Sequence, residues 1–332
     1  MTQIFKILIP DRLATPADIE QSVFGREASI HLFQATNADQ IEDKVWCECD
    51  AVLAWHEIIY DRELLSKMKN CKVIVRVGVG YDNVDIKAAS EYGITVCNVP
   101  DYGTDDVADH TMAMMLSLCR GLTQYGEAAK QGLWHWEVGN NLRRIKGSTL
   151  GIIGLGRIGT AVALRAKSFG MNICFYDPYK PYGYEKTFSI KRADSVNELA
   201  KSSDIISIHA PLTNETNKMI DEHFFKACKQ NSIFINTARG AIVELDALYK
   251  AMVTGKVLFA GLDVLAIEPP DYSQQLINAW KNDSDFSNRI IITPHAAFYN
   301  QESFIEMRKK AAEEALRALT NEIPKYVIKY EK

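Results

Sequence analysis

The sequence predicts an α/β protein made of two doubly wound parallel-sheet domains, and three observations lead there. Short apolar runs alternate with longer amphipathic segments almost from end to end, the order that parallel sheets with crossover helices require. Many of the short runs are continuous in Val, Ile and Leu, as strands buried on both faces are. At 332 residues the chain is long enough for two domains of about 100–200 residues, each with its own core.

The elements follow in order. Strands are expected at residues 4–9, 30–34, 51–55, 73–77 and 95–99. Asn98-Val99-Pro100-Asp101-Tyr102-Gly103 ends this run and reads as a domain joint, with a long helix expected at 105–131. Residues 134–146 carry Trp134 and Trp136 and end in Arg143, Arg144 and Lys146. That is unusual for a surface connection and is read as an intersubunit arm, so a homodimer is expected. Strands resume at 149–153, 173–176, 205–209, 233–236, 259–263 and 290–293, with helices at 158–169, 221–228 and 245–254. A second joint is expected at 294–299, before a C-terminal helix at 301–320. With both joints as hinges the last helix returns to the first domain. The expected domains are therefore 1–100 with 299–332, discontinuous, and 101–298.

Composition removes several function classes. Lys+Arg number 38 against 42 Asp+Glu, a net charge of −4, and no basic run is present, so no direct nucleic-acid partner is expected. A hydrophobic content of 47% and a charged content of 24% are those of an ordinary globular protein. No charge-free stretch approaches the roughly 18 apolar residues of a membrane span; the longest, 290–301, contains Pro294 and His295. The first eleven residues read as a strand with Lys6 inside it and lack the pattern of a secretory signal. Seven cysteines run from Cys47 to Cys228, and Cys47 with Cys49 forms a lone C-x-C without a second pair. Reduced thiols in a cytoplasmic protein, with no metal site, are therefore expected.

The strongest motif is Gly154, Gly156 and Gly159 in G-x-G-x-x-G, directly after an apolar strand and at the opening of a helix. The first glycine serves a tight turn, the second lets backbone approach a pyrophosphate, and the third lets helix and strand pack closely. Leu155, Arg157 and Ile158 lie between them, where helix-start N–H groups face the phosphates. Asp177 ends the next strand, 18 residues after Gly159, where an acidic side chain accepts from adenosine ribose hydroxyls. A carboxylate there repels a 2′-phosphate, so NAD is expected over NADP.

Three further blocks make the resemblance specific: Ile235-Asn236-Thr237-Ala238-Arg239-Gly240, Gly261-Leu262-Asp263-Val264 followed by Glu268-Pro269, and Thr293-Pro294-His295-Ala296-Ala297. With Val75 to Asp85 they resemble the D-isomer-specific 2-hydroxyacid dehydrogenases over nearly the full chain. Within that family, Arg143 to Gly147, Phe175 to Tyr179 and His295 to Tyr299 look most like the C-terminal-binding-protein branch, with Phe298 where that branch usually has tryptophan. The resemblance implies a Rossmann nucleotide-binding domain, a flavodoxin-like substrate-binding domain, and NAD-dependent interconversion of a 2-oxo acid and a D-2-hydroxy acid.

The residue types suit that chemistry. Arg239 supplies a planar fork of donors that can hold carboxylate and carbonyl oxygens together. His295 can give the proton in reduction and take it in oxidation, and Glu268 would orient the imidazole and favour its protonated form. The resemblance further implies that Thr237, Ala238, Arg239, Asp263, His295 and Ala297 meet the cofactor. His209, Ala210 and Pro211 form the strand end beside its ribose, acting through their backbone. Backbone N–H groups at Val77 and Gly78 would bind the substrate carboxylate. His56, beside Trp55 at a strand end, reads as pocket lining, as does Phe298. The remaining His31, His110, His135 and His223 read as structural or exposed. An NAD(H)-sensing, corepressor-like binding protein is the alternative; the complete Arg239, Glu268 and His295 set favours an enzyme. Formate dehydrogenases pair their histidine with glutamine, so Glu268 disfavours that branch.

Overall fold

Twelve strands among the described residues form two separate parallel sheets. The computed structural model describes residues 4–11 and 16–330; residues 1–3, 12–15 and 331–332, which the expected first domain and N-terminal reading include, lie outside the described residues. Packing divides the chain into two units, Met1–Gly103 with Tyr299–Lys332, and Thr104–Phe298.

In the first unit β1 (Phe5–Asp11), β2 (Ala28–Ala35), β3 (Ala51–Ala54), β4 (Val73–Arg76) and β5 (Thr95–Cys97) pair in the order β2-β1-β3-β4-β5. Every residue of β3 and β4 is buried, which demands cover on both faces. The C-terminal helix Gln301–Leu319 supplies part of that cover, packing on β3, β4 and the helix Asp18–Phe24. A capping box of Asn300 and Ser303 starts it. Arg308 fastens it: its guanidinium donates to both Glu20 oxygens at 2.8 and 2.6 Å, with both side chains almost wholly buried. The order reverses between β1 and β3, the switch point where α/β sheets place ligands at the carboxyl ends of their strands.

The second unit holds β6 (Thr149–Ile153), β7 (Asn172–Tyr176), β8 (Lys191–Arg192), β9 (Ile205–Ile208), β10 (Ser232–Asn236), β11 (Val257–Leu262) and β12 (Ile290–Ile292). Their order is β12-β11-β10-β9-β6-β7-β8, which switches between β6 and β9. Ile152, Phe175 and Ile235 pack against the helices Thr104–Arg120 and Arg157–Ser168 on one face, while Phe224, Phe225, Phe234 and Leu248 fill the other.

Several expectations shift. The helix expected at 105–131 is two helices, Thr104–Arg120 and Leu122–Lys130, broken where Gly121 takes φ +62°, a left-handed conformation that ends a helix. The two-residue strand β8 carries no apolar run. The stretch 134–146 contains only a 3₁₀ turn, Trp136–Val138, tied down by the Tyr125 hydroxyl donating to the Trp136 carbonyl at 2.9 Å. Among the described residues no helix is long and apolar enough to cross a membrane.

Candidate active site

Each glycine of the 154–159 motif does separate work. Gly154 sits at φ +89°, and a β-carbon there would lie 2.7 Å from the Ala210 nitrogen. The loop thus lies directly against the backbone of His209 and Ala210. Gly159 opens the crossing of helix and strand, since a β-carbon would reach 2.1 Å from the Gly154 carbonyl oxygen. Gly156 has open space where its β-carbon would be, at the N-cap of the helix Arg157–Ser168, with no side chain capping it. That is a cradle of unobstructed N–H groups, and it fits a pyrophosphate. Leu155 buries its side chain while its N–H donates to Asp177 Oδ2 at 2.8 Å, and Asp177 Oδ1 accepts from the Tyr179 N–H at 3.0 Å. The carboxylate expected to meet the ribose is therefore fixed beside the cradle. Ile158 is half-buried in the helix and Arg157 is exposed at its start.

On the other side of β6, the His209 N–H extends the ladder to Ile153 O at 2.7 Å, and its ring Nε2 lies 2.8 Å from Ser207 Oγ. Desolvation pushes this imidazole down to about 3, so it is neutral at physiological pH. Pro211 accepts the Thr216 hydroxyl at 2.7 Å.

The second cluster stands at the ends of β10, β11 and β12. Asn236, buried at the end of β10, clasps the following loop: its amide donates to Arg239 O at 2.9 Å and its oxygen accepts the Ala238 N–H at 3.0 Å. Thr237 is held by Thr111, their hydroxyls 2.9 Å apart. Gly240 permits the loop to lie on residues 265–266, since a β-carbon would reach 1.9 Å from the Leu265 carbonyl carbon. Arg239 is thereby carried next to the segment that bears Glu268. Glu268 Oε1 accepts the Leu265 N–H at 2.8 Å, which leaves Oε2 for His295 Nδ1, also at 2.8 Å. An ionised carboxylate only accepts, so Nδ1 carries the hydrogen.

His295 has φ +52°, a left-handed conformation uncommon for a non-glycine residue. The structure over-determines it. Its N–H donates to Asp263 O at 2.8 Å, and the Asp263 carboxylate, almost fully buried, accepts the Thr293 hydroxyl at 2.6 Å and the N–H groups of Ala296 and Ala297 at 2.8 and 3.0 Å. Asp263 and Ala297, both expected at the cofactor, are thus bonded to one another in the loop that presents His295. His110, read from sequence as structural or exposed, joins them: its Nε2 lies 3.1 Å from Thr293 Oγ1 and 3.7 Å from an Asp263 oxygen. No local pattern marks His110 or Thr293 for these roles, because each depends on a partner far away in sequence; Asn236 instead acts within its own block, on Ala238 and Arg239. Phe298 places its ring edge-on to His295, centroids 6.4 Å apart.

In the first unit, His56 is exposed in a loop braced from both sides. Buried Asp11 accepts from the N–H groups of Trp55, Glu57 and Ile58 at 3.0–3.1 Å, and the Asn83 amide donates to the carbonyls of Trp55 and Ile58. The amides expected to receive a carboxylate are already engaged: Val77 N–H donates to Ala54 O at 2.7 Å and Gly78 N–H to Arg76 O at 2.8 Å. Beyond them, the amides of Val79 and Gly80 are among those of this loop that make no backbone bond among the described residues, and both are partly accessible.

Comparison with known proteins follows the same lines. The family described as "D-isomer specific 2-hydroxyacid dehydrogenase, NAD binding domain" matches residues 112–297. A D-3-phosphoglycerate dehydrogenase of Methanocaldococcus jannaschii is 35% identical over 97% of this chain and 59% of its own length. C-terminal-binding protein 1 of Caenorhabditis elegans is 34% identical over 92% of this chain and 42% of its own length. The chain thus spans about half the length of these relatives. Among solved structures, a D-lactate dehydrogenase from Aquifex aeolicus, complexed with NAD and lactic acid, superposes with a TM-score of 0.84 at 29% identity, covering 95% of this chain and 96% of that one.

Proposed function

The chain belongs to the D-isomer-specific 2-hydroxyacid dehydrogenase family and carries its NAD-binding domain, and from that premise we propose that it interconverts a 2-oxo acid and a D-2-hydroxy acid. The observation that carries this reading is the 2.8 Å contact of His295 Nδ1 with Glu268 Oε2, on a loop clasped by Asp263. NAD, when bound, supplies or accepts the hydride at the substrate's C2 carbon. The chain's own residues do the rest. In reduction His295 gives the proton from Nε2 to the carbonyl oxygen; in oxidation it takes the proton back. Glu268 holds the ring through Nδ1, so that Nε2 is the nitrogen that exchanges. Arg239 grips the acid with two parallel donors and polarises the carbonyl. In the first unit we assign a carboxylate of the substrate to the open amides of Val79 and Gly80, two residues beyond Val77 and Gly78. His56, exposed on its braced loop, is assigned to substrate selection.

A panel of 2-oxo acids, assayed by loss of NADH absorbance with wild-type protein and His295→Ala, tests this. Turnover of at least one acid is expected, falling roughly 10²–10⁴-fold in His295→Ala while NADH still binds. Unchanged activity in His295→Ala would exclude the mechanism. Similarity to C-terminal-binding protein 1 supports a second reading, an NAD(H)-sensing binding protein. That reading expects NADH to bind and alter assembly with no acid turned over.

A further inference from the structure

Two loops flank the glycine cradle, because β6 lies between β9 and β7 in the sheet. One follows β7 and holds Asp177 and Tyr179; the other follows β9 and holds Pro211 to Thr216. Adjacent strands lie about 4.8 Å apart, so the two loops stand roughly 10 Å apart with the end of β6 between them. Among the described residues one side-chain hydrogen bond is seen to cross that gap: the Tyr179 hydroxyl donates to Glu215 Oε2 at 2.5 Å.

Neither loop needs this bond to keep its shape. Arg192 braces the first from behind, donating to the carbonyls of Asp177, Lys180 and Pro181 while its guanidinium lies against the Phe175 and Tyr182 rings. The Thr213–Thr216 turn closes on itself in the second, with the Thr213 N–H donating to Thr216 Oγ1 at 2.8 Å. Tyr179 is 77% exposed, and Glu215 is exposed. A surface bond between two such side chains adds little to folding. What it does is join the loops on either side of β6, whose end carries the cradle.

We propose that Tyr179 and Glu215 form a strap across the adenosine end of the NAD site, closed while the cofactor is bound, so that both residues slow its release. The proposal depends on NAD binding and not on the 2-oxo acid reaction, so its test stands apart from turnover. A charge-assisted O–H···O⁻ bond is among the stronger side-chain bonds, and a contact that holds a bound ligand acts mainly on its release rate.

Stopped-flow displacement of NADH, followed by its fluorescence, would be measured for the wild type, Tyr179→Phe, Glu215→Gln and the double variant. Each single variant removes the bond, so NADH release roughly three- to ten-fold faster is expected in both, with no further gain in the double variant. ADP-ribose, which keeps the adenosine and lacks the nicotinamide, should bind more weakly to the same variants by a similar factor. Release within two-fold of wild type in either single variant would overturn the strap. So would effects that multiply in the double variant, or faster NADH association with unchanged release, which would mark the bond as a barrier to entry.

Discussion

At the scale of single residues, the site depends on side chains whose charge state is set by what surrounds them. His209 is the clearest case, with desolvation taking its imidazole from the ordinary 6.5 down to about 3. Below pH about 6.5 the unfolded chain takes up a proton at this residue and the folded chain does not. Stability from this residue is therefore complete above 6.5 and is lost as pH falls toward 3. Urea unfolding of wild type and His209→Asn between pH 7.5 and 4.5 should show the variant losing less stability, by about 1–2 kcal/mol at the acid end. Parallel pH profiles for the two proteins would contradict this. At the reacting centre, Glu268→Gln keeps the size of the side chain and loses its charge, so turnover should drop by about 10–100-fold with NADH affinity held. Arg239→Lys should weaken substrate binding and turnover together, because a single ammonium cannot reproduce the two-pronged grip. Asp177→Ser is expected to weaken NADH binding and narrow the gap to NADPH; tight NADPH binding by the wild type would remove that assignment.

At the scale of elements, the two glycines of the cradle separate packing from ligand approach. Gly159→Ala drives a methyl to 2.1 Å from the Gly154 carbonyl oxygen, so it should destabilise the unit by about 2–4 kcal/mol. Gly156→Ala meets nothing and should melt like the wild type, yet weaken NADH about ten-fold by filling the cradle. Calorimetry beside NADH titration tells the two apart. The long buried strands, the Gly-rich turn and the C-terminal helix were legible in sequence because each carries its own periodicity or spacing. The helices Asp43–Glu48 and Ile86–Glu91 are too short to show a period, being six residues each. The strand Lys191–Arg192 exists only because β7 offers it an edge. The same division runs through the site. Arg239, Glu268 and His295 stand in recognisable blocks, while Asp11 and His110 act on partners 44 and 183 residues away, which no local reading can locate.

At the scale of the whole molecule, assembly is the property that a single chain leaves most exposed to test. Trp134 is 90% and Trp136 78% exposed, far beyond what isolated surface apolar groups require. The segment that carries them is not loose: the Tyr125 hydroxyl bonds the Trp136 carbonyl, and Arg143 pairs with Asp204 at 3.0 Å. Beside it runs a groove of mixed lining, in which Ala128, Leu133, Val138, Leu258 and Phe259 stand among polar side chains such as Glu127 and Arg289. A two-fold dimer about the second units would let the arm of one copy lie on this surface of the other, since a symmetric interface presents the same patch twice. Light scattering at micromolar concentration should then give twice the 37.3 kDa chain mass. Trp134→Ser with Trp136→Ser should shift the protein toward monomer, and tryptophan fluorescence should move to the red on dilution as the indoles meet water. A monomer at those concentrations, or a double variant that dimerises as the wild type does, would place the interface elsewhere.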